Sequence, residues 1–288
     1  MKELVVISGK GGTGKTSIVA AFASLAENKV LCDADVDAAD LHLVTGPRVR
    51  ETHDFQGGST AVINQDKCTE CGLCMDLCRW DAINSDFEVD AFECEGCGVC
   101  VYFCPEKAID FPVKTCGQWF RSDTRFGPMI HARLGIAEEN SGKLVTLVRQ
   151  KARTLAEESG LDLLLTDGPP GVGCPVIASM GGANAVLIVV EPTVSGIHDM
   201  ERVAQLAAHF RVPAMICINK FDLNLDQTQT IERYAKENGL ETLGQIPFDP
   251  LFTKSMVQGN TIIEFNGDSE GARSVKKIWK EVESALYR

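Results

Sequence analysis

Leu4-Val5-Val6-Ile7-Ser8 runs straight into Gly9-Lys10-Gly11-Gly12-Thr13-Gly14-Lys15-Thr16, and the reading of this stretch decides the fold. The first five residues are apolar and β-rich, the next eight fit G-x-x-x-x-G-K-[ST], and Ser17 to Glu27 carries helix-forming Ala and Leu. The order is therefore strand, Gly-rich turn, helix. In that setting glycines let successive backbone N–H groups turn inward on phosphate oxygens, at a helix N-terminus that already favours anions. Gly9, Lys10, Gly11, Gly12, Thr13, Gly14, Lys15, Thr16 and the adjoining Ser17 are the expected nucleotide-binding residues. Lys15 is expected to pair with the β- and γ-phosphates and Thr16 to give its hydroxyl to Mg²⁺.

Further strands follow from the same kind of pattern. Val30 to Cys32 ends on acidic residues, and Leu161 to Thr166, Ala185 to Val190 and Ala214 to Ile218 are continuous apolar runs with helical pattern between them. Continuous rather than alternating apolar runs suit strands covered on both faces, so the expected fold class is α/β with a mostly parallel, doubly wound sheet. A length of 288 residues, 44% hydrophobic and 24% charged, suits a folded globular protein of one large or two small domains. The net charge of −12, without a Lys/Arg-rich run, speaks against nucleic acid as a partner. No apolar stretch reaches the roughly 18 residues of a membrane span, and no leader is evident. The expected location is cytoplasmic.

Twelve cysteines then need a reduced-compartment explanation, which is metal ligation or catalysis rather than disulfides. Eight lie between Cys68 and Cys104, as Cys68-x2-Cys71-x2-Cys74-x3-Cys78 and Cys94-x2-Cys97-x2-Cys100-x3-Cys104-Pro105. The two runs form an internal repeat with a period of 26, each closing on Ala-Ile, at Ala82-Ile83 and Ala108-Ile109. This is the two-cluster bacterial ferredoxin spacing, in which the fourth Cys of each run ligates the other cluster. The expected ligands are Cys68, Cys71, Cys74 and Cys104 for one [4Fe-4S] cluster and Cys78, Cys94, Cys97 and Cys100 for the second. Zinc is the competing metal, but paired C-x2-C units would serve it, leaving the third Cys and the offset fourth unexplained. Arg79 stands where Pro would follow Cys78. The block from 61 to 112 reads as a small α+β ferredoxin domain inserted between ATPase parts at 1–60 and 113–288.

Lys10, a second lysine inside the loop, makes K-G-G-x-G-K-T, which resembles the deviant Walker A signature of the MinD/Mrp/ParA and nitrogenase iron protein superfamily. The resemblance covers about residues 1–50 and 115–280 and implies an ATP-dependent homodimer in which Lys10 reaches the partner's phosphates. Asp33-Ala-Asp35-Val-Asp37 resembles switch I, with Val36 where parts of the superfamily have Pro. Asp35 is then the residue that orients or deprotonates the attacking water beside Mg²⁺. Leu163 to Gly171 resembles Walker B with switch II, implying that Asp167 holds Mg²⁺ through water and Gly168 senses the γ-phosphate. Asn219-Lys220 resembles the purine-reading position and Ile246-Pro247-Phe248-Asp249 the adenine-contacting loop. By the same resemblance Lys10, Lys15 and Asp35 carry the catalysis.

The resemblance implies ATPase activity with two [4Fe-4S] clusters, ATP or ADP and Mg²⁺ as cofactors, and leaves the use of the clusters open. Low-potential electron transfer to an acceptor is one class, favoured because saturated cubanes are built to keep their iron. ATP-dependent delivery of Fe-S clusters to an apo-protein is the second, and a redox-sensing regulatory ATPase the third. Nitrogenase iron protein has a cluster-ligating Cys at an offset similar to that of Cys174 after Asp167, but Cys116 does not match the spacing of a second ligand, so Cys174 is expected to be a buried or redox-inert thiol. Cys32 and Cys217 sit in apolar strands and read as core. Val275, Ile278, Trp279, Val282 and Leu286 form a helical stripe expected to pack on the sheet.

Overall fold

Both faces of the first strand are buried, Leu4 and Val6 in one apolar cluster and Val5 and Ile7 in another, so helices must cover the sheet on both sides. The computed structural model describes residues 1–135 and 141–288. In chain order it runs β1 (Lys2–Ser8), α1 (Lys15–Leu25), β2 (Lys29–Asp33), α2 (Leu41–Thr45), β3 (Arg48–Ser59), β4 (Val62–Ile63), α3 (Leu73–Leu77), α4 (Val99–Phe103) and β5 (Ile109–Asp110). It continues with β6 (Val113–Thr124), β7 (Gly127–Leu134), α5 (Ser141–Glu158), β8 (Leu163–Pro170), α6 (Cys174–Met180), β9 (Ala185–Val190), α7 (Val194–His209) and β10 (Ala214–Asn219). After the short 3₁₀ turn Phe221–Leu223 come α8 (Leu225–Glu237), β11 (Glu241–Ile246), α9 (Leu251–Val257), α10 (Ile262–Asn266) and α11 (Glu270–Leu286).

The strands order as β11-β10-β9-β1-β8-β2-β7-β6-β3. β1 pairs in parallel with β8 and β9, β10 with β9 and β11, and β2 with β7 and β8. This is the mostly parallel, doubly wound sheet expected from the sequence. Its central strands β1, β8 and β2 run in parallel, with Ser8 beside Pro170 and Asp33 beside Asp167, which places the loops that follow them along one edge. α1 and α11 pack on one face, through Ile18, Val19 and Phe22 and through Val275, Ile278, Trp279, Val282 and Leu286. The C-terminal stripe is thus core, with the Phe22 and Trp279 rings 5.0 Å apart. α7 and α8 cover the other face through Met200, Val203, Ala207, Ile231 and Ala235. Cys32 and Cys217 are buried in their strands as expected.

The chain forms two compact units, one of Met1–His53, Trp119–Arg133 and Ser141–Arg288, the other built on Asp54–Gln118. β3 and β6, twelve residues each, run from the first into the second. The cysteine-rich character marks only 61–112, because β3 is exposed over most of its length and so shows no apolar alternation. The second unit is held by the short antiparallel pair β4–β5 and by a small core of Ala61, Ala82, Ile83, Ala108 and Ile109. Among the described residues no helix is long and apolar enough to cross a membrane.

Candidate functional site

β1 delivers the chain to Gly9, where a Cβ would lie 2.3 Å from that of Asp199 on α7, so the loop packs this closely only with glycine. Gly12 and Gly14 take φ of 79° and 86°, the left-handed region that lets the loop double back onto α1. α1 opens at Lys15 with no side-chain cap, so its first N–H groups are left for an anion. In front of them lies a cleft of about 470 Å³ walled by Gly11 to Ser17, Asp35, Asn219, Pro247, Phe248 and Asp249 among others. The structure therefore gathers most of the expected nucleotide residues around one space. Gly9 and Lys10 are not among its walls.

The floor of the site is a buried charge cluster. The Lys15 ammonium lies 2.5 Å from Asp167 Oδ1 and 3.4 Å from Asp35 Oδ2, and all three side chains are almost wholly withdrawn from water. Burial pulls the Lys15 pKa down, but Asp167 and Asp35 outweigh it and hold the pKa above the usual lysine value. Burial drives the Asp35 carboxyl up to about 6, partly opposed by Lys15. Asp33, fully buried at the end of β2, is raised well above its ordinary value by burial and by the neighbouring Asp167. Its oxygens accept from the backbone N–H of Asp35 at 3.2 Å and of Leu41 at 3.2 Å, which shapes the turn that presents Asp35. Asp167 Oδ2 and Thr13 Oγ1 are buried without a partner, the condition of groups that await a ligand.

The sequence reading named Asn219 and Lys220 for another role and missed Glu191 and Asp222, and all four hold this site together. Phosphate loops aim their N–H groups inward and hence their carbonyls outward, and those carbonyls need donors. Asn219 Nδ2 donates to the Thr13 carbonyl at 2.7 Å, and Lys220 Nζ donates to that of Gly12 at 3.4 Å. Glu191 accepts from Lys220 Nζ and lies 3.7 Å from Lys10 Nζ, which also donates to Thr193 Oγ1 at 3.2 Å. Asp222, in the 3₁₀ turn, accepts from the Phe248 backbone N–H at 2.7 Å and so steadies the loop holding Pro247 and Asp249. These partners lie between 26 and 208 residues apart, and no sequence spacing encodes them.

In the second unit the repeat is structural. Glu70 and Gly96 take φ of 53° and 63°, Gly72 and Gly98 take 78° and 73°, and α3 and α4 follow at equivalent positions. Cys78 and Cys104 cap those two helices at their C-termini. Cys68, Cys71, Cys74 and Cys104 wall one small cavity with Ile63, Leu73 and Ile109. Burial, then the neighbouring thiols Cys68 and Cys71, push Cys74 up, and burial with Cys94, Cys97 and Cys74 does the same for Cys100. Among the described residues no three His, Cys, Asp or Glu side chains converge closely enough to hold a single metal ion. Cys174, expected to be a buried or redox-inert thiol, is exposed at the first residue of α6; Cys116 is buried.

The CobQ/CobB/MinD/ParA nucleotide binding domain family matches residues 4–262. The chain belongs to this family. An uncharacterised protein of Methanocaldococcus jannaschii is 31% identical over 99% of this chain and 97% of its own length. A cytosolic Fe-S cluster assembly factor NUBP1 homologue of Caenorhabditis elegans is 26% identical over 144 residues, covering 44% of this chain and 46% of that protein. Among solved structures, the septum site-determining protein MinD with Mg-ADP from Pyrococcus horikoshii superposes with a TM-score of 0.61 at 17% identity, covering 98% of this chain and 96% of that one. MinD in the MinC:MinD complex of Aquifex aeolicus gives 0.60 at 18%, covering 99% and 96%. At such identities the superpositions speak for the CobQ/CobB/MinD/ParA fold alone.

Proposed function

We propose that this chain is a Mg²⁺-dependent ATPase whose nucleotide state is linked to two [4Fe-4S] clusters held between Cys68 and Cys104, and that the clusters carry low-potential electrons. The observation that carries the reading is the cavity walled by Cys68, Cys71, Cys74 and Cys104, three thiols of one run and the fourth of the other. In a cubane each thiolate binds a different iron, so its ligands surround a volume. Zinc would be served by paired C-x2-C units, which leaves the third Cys of each run and its offset fourth unexplained. The small core of this unit adds weight, since domains below about 70 residues usually need a staple such as a metal centre. Bound clusters would take up and release single electrons.

The residues of the cleft fit Mg²⁺ and a triphosphate. The open α1 N-terminus and Lys15 supply positive charge, while Thr16 and the unpaired Asp167 Oδ2 supply oxygens for a hydrated cation. Mg²⁺ would neutralise charge on the β- and γ-oxygens. Asp35, 3.4 Å from Lys15 in the wall of the cleft, is suited to orient a water for attack. Lys10, by the resemblance, acts across an ATP-dependent homodimer, and closure then requires it to leave Glu191 and Thr193 of its own chain.

A second reading, ATP-dependent cluster delivery to apo-proteins, is favoured by the partial match to the NUBP1 homologue. One experiment separates the two. Anaerobically purified protein should contain about eight irons per chain. It is incubated with an apo-acceptor, with and without ATP. Reversible reduction with the clusters retained supports electron transfer, whereas ATP-dependent loss of iron to the acceptor supports delivery. Zinc in place of iron ends both readings.

A further inference from the structure

The internal repeat supplies its own control for surface chemistry. With a period of 26, Phe92 corresponds to Asp66, Tyr102 to Asp76 and Phe103 to Leu77. The two copies share backbone geometry: the Asp66 N–H donates to Asn64 Oδ1 at 3.0 Å, and the Phe92 N–H donates to Asp90 Oδ1 at 2.8 Å. Asp66 and Asp76 are exposed, so these positions need no apolar side chain to fold. Yet in the second copy Phe92 is 78% exposed, Tyr102 83% and Phe103 54%, the last two meeting edge to face with centroids 5.0 Å apart. Phe92 and Tyr102, left in water in one copy and replaced by Asp66 and Asp76 in the other, are not explained by stability.

The aromatics also have a distinctive frame. Phe92 stands two residues before Cys94, and Tyr102 two residues after Cys100, so they bracket the second run of thiols. From Trp80 to Glu106 the chain has seven Asp and Glu and no Lys, Arg or His. Exposed aromatics carried on an acidic segment have the composition of a docking face, and the charge of that segment selects a cationic counterpart.

We propose that the second copy of the repeat, through Phe92, Tyr102 and Phe103, is the docking face for a partner protein whose apolar contact surface is rimmed by Lys and Arg. The first copy, built on the same scaffold, is not. The proposal names the kind of acceptor implied by the function proposed above and rests on that reading only for what passes between the two proteins. It assigns the traffic to the side of Cys94, Cys97 and Cys100.

The test uses the full-length chain with its metal content measured, and cytochrome c, a Lys-rimmed protein, as the probe. Phe92→Asp with Tyr102→Asp copies the residues of the first repeat and adds negative charge, so attraction by charge alone would strengthen. The expected result is affinity for cytochrome c weaker by about tenfold, with Asp66→Asn and Asp76→Asn together changing it by less than about twofold. Wild-type affinity should fall with added salt, and an acidic flavodoxin should bind far more weakly. Unchanged or tighter binding by the Phe92/Tyr102 variant, equal losses from the two pairs, or equal affinity for flavodoxin overturns the proposal. Iron content and visible absorption of the same samples report separately on the clusters. If these are absent the proposed function fails, while the binding comparison still decides the docking face.

Discussion

Among the described residues Lys15 is the one cation paired with the carboxylates of Asp35 and Asp167, and all three are withdrawn from solvent. Removing one partner of a buried ion pair costs about 3–5 kcal/mol because the other charge is left uncompensated. Lys15→Ala should therefore abolish nucleotide binding and also lower the stability of the nucleotide-free protein, read by urea unfolding. Adding Asp167→Asn should return part of that stability and none of the binding; full stability in Lys15→Ala alone would contradict the buried cluster. Asp222 acts at a distance from the phosphates, through one bond to the Phe248 backbone. Asp222→Ala should raise the dissociation constant for ATP by about tenfold, the worth of one charge-assisted hydrogen bond, with little change in turnover of bound nucleotide. The motif residues of the cleft were legible because their chemistry depends on local spacing. Asp222 and Glu191 were not, nor was the bond from Lys220 to the loop, since each acts through a tertiary contact.

The elements of the sheet centre were legible for a related reason: strands buried on both faces leave continuous apolar runs such as Ala185 to Val190. β3 and β6 left no such mark. α11 declared itself through its apolar stripe, and Trp279, 4% exposed against Phe22, is its largest anchor. Trp279→Ala should cost about 3–5 kcal/mol, measured by denaturant midpoint, without altering iron content. On β7, burial and then His42 hold His131 at about 4, with Ser122 Oγ 2.9 Å from its Nε2. Its folded pKa lies below the ordinary value of 6.5, so the unfolded chain takes up the proton first as pH falls. The contribution of His131 to stability is thus complete above pH 6.5 and is lost between there and about 4, by roughly 3 kcal/mol. His131→Asn should flatten that part of the stability–pH curve.

At the scale of the whole molecule, ligands should act on the two units unequally. ATP with Mg²⁺ at a hundred times its dissociation constant adds about 2.7 kcal/mol, a rise in melting temperature of roughly 5–10 °C that Lys15→Ala should erase. On the cluster reading proposed above, iron chelation should instead unfold Asp54–Gln118, leaving the parallel sheet intact by circular dichroism. The points where the chain leaves and re-enters the first unit, His53 and Trp119, have their rings stacked 4.1 Å apart, with Lys151 over the indole at 5.3 Å. Neighbouring ends can be rejoined by a short turn with little loss of loop entropy. Replacing residues 54–118 by a short turn should therefore leave ATP binding by the shortened protein within about threefold of that of the full chain, measured by calorimetry.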